Sequence, residues 1–154
     1  SIYRDANVKL HREAEIGGGS VLGGGSSVGA NTRIENSVIG KNCKIGARCK
    51  IRDAYLWDGV VVEDGSVITS SMLCDNVIIG KNSTINIGCI LSAGVRLGDN
   101  QTLEPETKLT LRELAALDTS YDDVEMTERV SLGQGKAAFK WIAADHDDNV
   151  VRGN

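Results

Sequence analysis

An Ile, Leu or Val recurs every six residues from Leu10 through Ile16, Leu22 and Val28, and the lattice runs on to Leu109. The step shortens to five only between Ile34 and Ile39, Ile51 and Leu56, and Ile68 and Leu73, places that lie 17 residues apart. Three columns result: Leu10, Val28, Ile45, Val62, Ile79 and Leu97; Ile16, Ile34, Ile51, Ile68, Ile85 and Leu103; Leu22, Ile39, Leu56, Leu73, Leu91 and Leu109. None of these positions is polar. A period near six closed by one near 17 to 18 residues describes a triangular solenoid with three short strands per coil. A helix would need a 3.6-residue period. The prediction is an all-β, hexapeptide-repeat parallel β-helix of about six coils over 1–109.

Two residues before the column positions the side chains are small, as at Ser20, Ser37, Ala54, Ser71, Cys89 and Thr107, or at Ala14, Thr32, Cys49, Ser66 and Ser83. They fit a narrow corner. Their persistence across the five-residue steps predicts that the missing residue is lost from the solvent side of the turn, leaving the interior in register. Gly17–Gly19 and Gly23–Gly25 lie at turns. They neither open a helix nor precede Gly-Lys-Ser/Thr, so they do not read as a phosphate loop.

Beyond Leu109 the lattice stops. Thr110 could cap a short helix over 110–117, with Leu111, Leu114 and Leu117 covering the last coil. Residues 118–131, rich in Asp and Glu, read as an acidic connector. Residues 132–154 read as an extended tail with a strand-like stretch around Phe139 and Trp141 and a linker after Asp145. Ser1 and the ending Arg152-Gly153-Asn154 suggest a piece of a longer protein.

Strand alternation turns the neighbours of each column residue outward. On the third face these are Val21, Val38, Tyr55, Met72, Ile90 and Lys108, with Trp57 following Leu56. The second face shows Glu15, Arg33, Lys50, Val67, Thr84 and Thr102 at the equivalent places. A contiguous apolar patch marks a protein contact, so Val21, Val38, Tyr55, Trp57, Met72 and Ile90 are the candidate interface. The competing reading has the chain's own tail, through Phe139 and Trp141, fold back over this stripe.

Composition narrows the chemistry. The 154 residues carry a net charge of −4 and are 41% hydrophobic, which suits a globular domain and disfavours direct nucleic-acid binding. No apolar run is long enough to span a membrane. Lys41, Lys44, Arg48, Lys50 and Arg52 read as a solvated basic face. Cys43, Cys49, Cys74 and Cys89 lack C-x-x-C spacing, and three sit at the small inward position, so they read as free thiols in a reducing compartment rather than as a zinc site. The only histidines are His11 and His146, too few for three-histidine zinc chemistry. Acyltransferases built on this repeat use a histidine base and a loop that interrupts the lattice, whereas this lattice is unbroken. No catalytic, cofactor-binding or metal-binding constellation is assigned, and the fragment reads as non-enzymatic.

Ser37-Val38-Ile39-Gly40-Lys41-Asn42-Cys43-Lys44-Ile45-Gly46 resembles the hexapeptide segment of sugar-nucleotide pyrophosphorylase C-terminal domains and of the gamma and epsilon subunits of eukaryotic translation initiation factor 2B. Ala54-Tyr55-Leu56-Trp57-Asp58 and Met72-Leu73-Cys74-Asp75-Asn76 are similar to segments of the epsilon subunit. So are Leu132-Gly133-Gln134-Gly135-Lys136 and Trp141-Ile142, although Ala138 and Phe139 depart from the glycine-tyrosine of that pattern. The resemblance implies a left-handed β-helix, a hand that periodicity cannot supply because parallel crossovers are generally right-handed. It also implies a cytoplasmic scaffold in a guanine-nucleotide exchange factor, pairing with a gamma-like β-helix subunit and positioning translation initiation factor 2. The alternatives are the oligomerisation β-helix of a sugar-1-phosphate nucleotidyltransferase and, third, a hexapeptide acyltransferase.

Overall fold

Three parallel sheets carry the three columns, one column to a sheet, in a computed structural model that describes residues 1–114 and 126–142. The first column builds a six-stranded sheet from Lys9–Leu10 to Arg96–Leu97, and the second another from Glu15–Ile16 to Thr102–Leu103. The third column's sheet has nine strands, because Tyr3–Arg4 adds below Val21–Leu22 and a hairpin adds above Lys108–Thr110. Each strand pairs with the strand one coil away, column residue against column residue, as Leu56 does with Ile39 and Leu73. Sixteen of the eighteen column residues are buried. Leu10 and Ile16 of the first coil are half-buried, since only Tyr3–Arg4 lies below them.

The shortened corners keep register as the sequence predicts. Glu35-Asn36 and Arg52-Asp53 make the turn that Gly17-Gly18-Gly19 makes in the first coil, and the inward Ser37, Ala54 and Ser71 stay buried. Asn36, Asp53 and Ser70 adopt left-handed backbone, at φ 45°, 53° and 46°. Asn42, Arg48, Asn76, Asn82 and Asn100 do the same at full-length corners. Asparagine tolerates this conformation better than most residues.

The small inward residues hold coil to coil. The Ser26 hydroxyl donates to the Gly40 carbonyl at 2.7 Å and accepts the Cys43 amide at 3.0 Å. Thr32 and Ser66 repeat this arrangement with Gly46 and Cys49, and with Gly80 and Ser83. Buried hydroxyls are thus satisfied without a water-filled core. Three valines at the equivalent inward place on the first face, Val60, Val77 and Val95, add to the core; the small-residue reading did not cover them.

All four cysteines are free, with Cys43, Cys49 and Cys89 buried and Cys74 partly exposed. Burial pushes the thiols up from their ordinary value of 9.0. An unfolded chain ionises these thiols before the native one does. Their contribution to stability is therefore full below about pH 9 and is lost as the pH rises above it. Iodoacetamide at neutral pH is expected to add one label to the native chain, at Cys74, and four after denaturation, as read by intact mass.

The helix expected over 110–117 does not form over its described part. Lys108–Thr110 is a strand, and residues 111–114 are not helical. Thr110 Oγ1 does accept the Arg112 amide at 3.2 Å, but its backbone is recruited into the sheet opposite Phe139. Leu111 is exposed, Leu114 is partly buried and Leu117 lies outside the described residues. The last coil is covered instead by an antiparallel hairpin of Thr127–Ser131, within the stretch read as connector, and Ala137–Trp141. Its Leu132 and Ala138 are buried against the core, and the Leu132 carbonyl accepts the Gly98 amide at 2.7 Å, as Leu97 accepts that of Gly80 one coil below.

Candidate subunit-interaction face

The outward residues of the third sheet stack in one file. Tyr3 pairs with Val21, Val21 with Val38, Val38 with Tyr55, Tyr55 with Met72, Met72 with Ile90 and Ile90 with Lys108. At about 4.8 Å per coil, apolar side chains run nearly unbroken along the molecule. Val21, Tyr55, Trp57 and Ile90 are between 37% and 46% exposed, too open to belong to the core. Val38 and Met72, the two strand neighbours of Tyr55, are half-buried. The ring centroids of Tyr55 and Trp57 lie 6.1 Å apart with planes tilted at 59°. Tilted ring pairs of this kind are favourable, and this one sits at the centre of the stripe.

The described part of the tail, residues 132–142, extends this sheet rather than folding over it. Ala137–Trp141 runs antiparallel to Lys108–Thr110, and Trp141 is 39% exposed at the upper end of the same sheet. Sequence reasoning assigned neither Trp141 nor Tyr3 to the face. The first followed the point where the lattice ended, and the second preceded it.

Two grooves flank Tyr55. One, of about 540 Å³, runs beside the shortened corners and is lined by Asn36, Asp53 and Ser70 on one wall and Val38, Tyr55 and Ile90 on the other. The missing corner residues set that edge back. The other, of about 260 Å³, is lined by Val38, Gly40, Tyr55, Trp57, Asp58 and Asp75.

The second face is polar and internally paired, whereas the first carries Val61 and Ile78 between Lys44 and Arg96. Arg33 pairs with Glu15 at 3.5 Å and with Glu35, and Arg52 lies 3.7 Å from Asp53. Such exposed pairs contribute little to stability. The basic residues singled out in sequence do not form one patch, since Lys44 lies on the first sheet and Lys50 and Arg52 on the second. His11 is exposed, and its Nδ1 accepts the Glu13 amide at 3.1 Å within its own turn; His146 lies outside the described residues. Among the described residues no cluster of His, Cys, Asp or Glu is placed to hold a metal ion, and no helix is long and apolar enough to cross a membrane.

Fold and face together define a hexapeptide-repeat β-helix with one exposed apolar face. The chain belongs to the family of the EIF2B subunit epsilon LbH domain, whose model matches residues 1–103. The family is that of a left-handed β-helix within a subunit of a multi-subunit translation initiation factor, and it bears out the resemblance read from the sequence. No curated protein sequence matches the chain. Among solved structures the chain is similar to PerB from Caulobacter crescentus in complex with CoA and GDP-perosamine. The identity is 14% over 71% of this chain and 54% of that one, with a TM-score of 0.63. It is also similar to a putative acetyltransferase from Desulfovibrio desulfuricans, at 18% identity over 99% of this chain and 36% of that one, with a TM-score of 0.51. The chain spans about half the length of the first of these. At such identities the likeness is one of fold.

Proposed function

We propose that this domain is a non-catalytic scaffold in a cytoplasmic guanine-nucleotide exchange factor of translation initiation. It pairs through the third face with a gamma-like β-helix subunit and so helps to position translation initiation factor 2. The observation that carries this reading is the coincidence, at Tyr55 and Trp57, of two independent features. They lie in a segment resembling the epsilon subunit, and they form the centre of an exposed apolar stripe. Aromatic side chains at the middle of a flat patch are the usual energetic centre of a protein interface.

Mixing the chain with a gamma subunit and measuring the mass of the complex in solution tests the reading. The native chain is expected to bind, and Tyr55→Glu with Trp57→Glu to lose at least about a hundredfold in affinity while keeping its circular dichroism spectrum and melting temperature. Undiminished binding by the folded double variant would overturn the assignment of this face.

A further inference from the structure

Asp58 and Asp75 occupy successive coils at the corner beside Trp57. One oxygen of each is used internally: Asp58 Oδ1 accepts the Lys41 amide at 2.9 Å, and Asp75 Oδ1 accepts the Asp58 amide at 3.0 Å. The second oxygens make no hydrogen bond among the described residues. Asp53 and Asp64 also sit at corners, yet each has an arginine within 4 Å, Arg52 and Arg48 respectively. Asp58 and Asp75 pair with no cation among the described residues. Lys41, one coil below Asp58, lends its amide, but its ammonium pairs with neither carboxylate.

These two carboxylates are not scattered surface charge. They line the 260 Å³ groove together with Tyr55, Trp57, Val38 and Gly40. A groove lined by two aromatic rings and by two carboxylates, each with an oxygen free of hydrogen bonds among the described residues, complements a planar cation. A guanidinium satisfies both at once, stacking on a ring while its fork of donors reaches the carboxylates. An ammonium has no plane to stack, and a neutral apolar side chain would leave two desolvated charges without partners.

Resting on the scaffold reading, we propose that Tyr55, Trp57, Asp58 and Asp75 form a receptacle for one arginine side chain of the partner protein. This arginine fixes the register of the two surfaces along a stripe that is otherwise uniformly apolar and would tolerate sliding by one coil. Charge-assisted contacts of this kind select position more than they add affinity.

The test uses the full chain carrying Trp141→Phe, so that Trp57 supplies the single indole N–H resonance. The tripeptide N-acetyl-Gly-Arg-Gly-amide is the probe, and its citrulline isostere is the control. The arginine peptide is expected to shift the Trp57 resonance saturably. Citrulline, and arginine against the Asp58→Asn/Asp75→Asn variant, are each expected to bind at least about tenfold more weakly. Asparagine keeps the Oδ1 acceptor, so the corners stay folded. Equal response to the two peptides, or none at Trp57, overturns the receptacle.

Binding to a gamma subunit is measured in parallel. If Tyr55→Glu with Trp57→Glu abolishes binding while the Asn pair leaves affinity and salt dependence unchanged, the receptacle falls and the scaffold stands. If the glutamate pair binds normally, the scaffold reading falls, and the peptide titration alone decides the receptacle. A loss of about tenfold in the Asn pair, with a flatter salt dependence, supports both.

Discussion

Gly80→Ala is expected to destabilise the domain by about 2–3 kcal/mol, and Gly24→Ala to leave it unchanged or raise its stability by up to about 1 kcal/mol. Both glycines lie at corners, and neither has the left-handed backbone that would strain an alanine. The difference is steric. A Cβ on Gly80 would lie 2.5 Å from the carbonyl carbon of Gly98 and 2.6 Å from the Asp99 amide nitrogen, both backbone atoms of the next coil. They cannot yield without unstacking that coil and stretching hydrogen bonds such as Gly80 to Leu97 at 2.9 Å. At Gly24 a Cβ meets nothing nearer than 3.5 Å, where the Asp5 side chain lies. Urea midpoints at an unchanged slope measure both; an equal loss in the two variants would show that corner glycines act through chain entropy instead.

Leu132→Asp is expected to open the upper end of the solenoid while leaving its middle intact. Leu132 is 2% exposed and is the hairpin's main contribution to the core. Truncating such a leucine costs about 2–5 kcal/mol, and a buried carboxylate adds to this. In a solenoid each coil depends mainly on its neighbours, so the damage stays local. Amide exchange should accelerate at Gly98 and Asp99, which bond to Leu132 and Gln134. It should stay slow at Gly46 and Gly65 in the middle coils, whose amides bond to Val62 and Ala47. Uniform loss of protection would mean that the domain unfolds as a single unit.

The lattice itself was legible because burial on all three sides leaves no freedom at the column positions. Val28, Ile51 and Leu73 have no polar substitute that stacks in so narrow a core. The corner register was legible for the same reason, since a slip at Ser37 or Ala54 would have turned a column residue to solvent. Of the hairpin, the strand-like stretch around Phe139 and Trp141 was legible, but its partner Thr127–Ser131 and its docking on the last coil were not. Thr127–Ser131 and Ala137–Trp141 obey no six-residue period, and the pairing of Ala137–Trp141 with Lys108–Thr110 spans a chain separation that no local pattern encodes. One signal was available: Leu132-Gly133-Gln134 repeats the aliphatic–glycine–polar order of Leu97-Gly98-Asp99, and Gln134 Oε1 accepts the Asp99 amide at 2.9 Å. The helix expected at Thr110 failed in the same competition, because a strand edge left open by the last coil offered its backbone a partner sooner than a short helix could.

Periodicity alone dictated the three-sided solenoid, its core and which side chains of the third strand in each coil face outward, because a strand's alternation and a coil's closure leave one arrangement. Three features came from packing in three dimensions: the hairpin that closes the upper end, its extension of the third sheet, and the groove that Asp58 and Asp75 share with Tyr55 and Trp57 with no paired cation among the described residues. They depend on which backbone edge finds a partner and on where side chains from separate coils converge, and local spacing encodes neither.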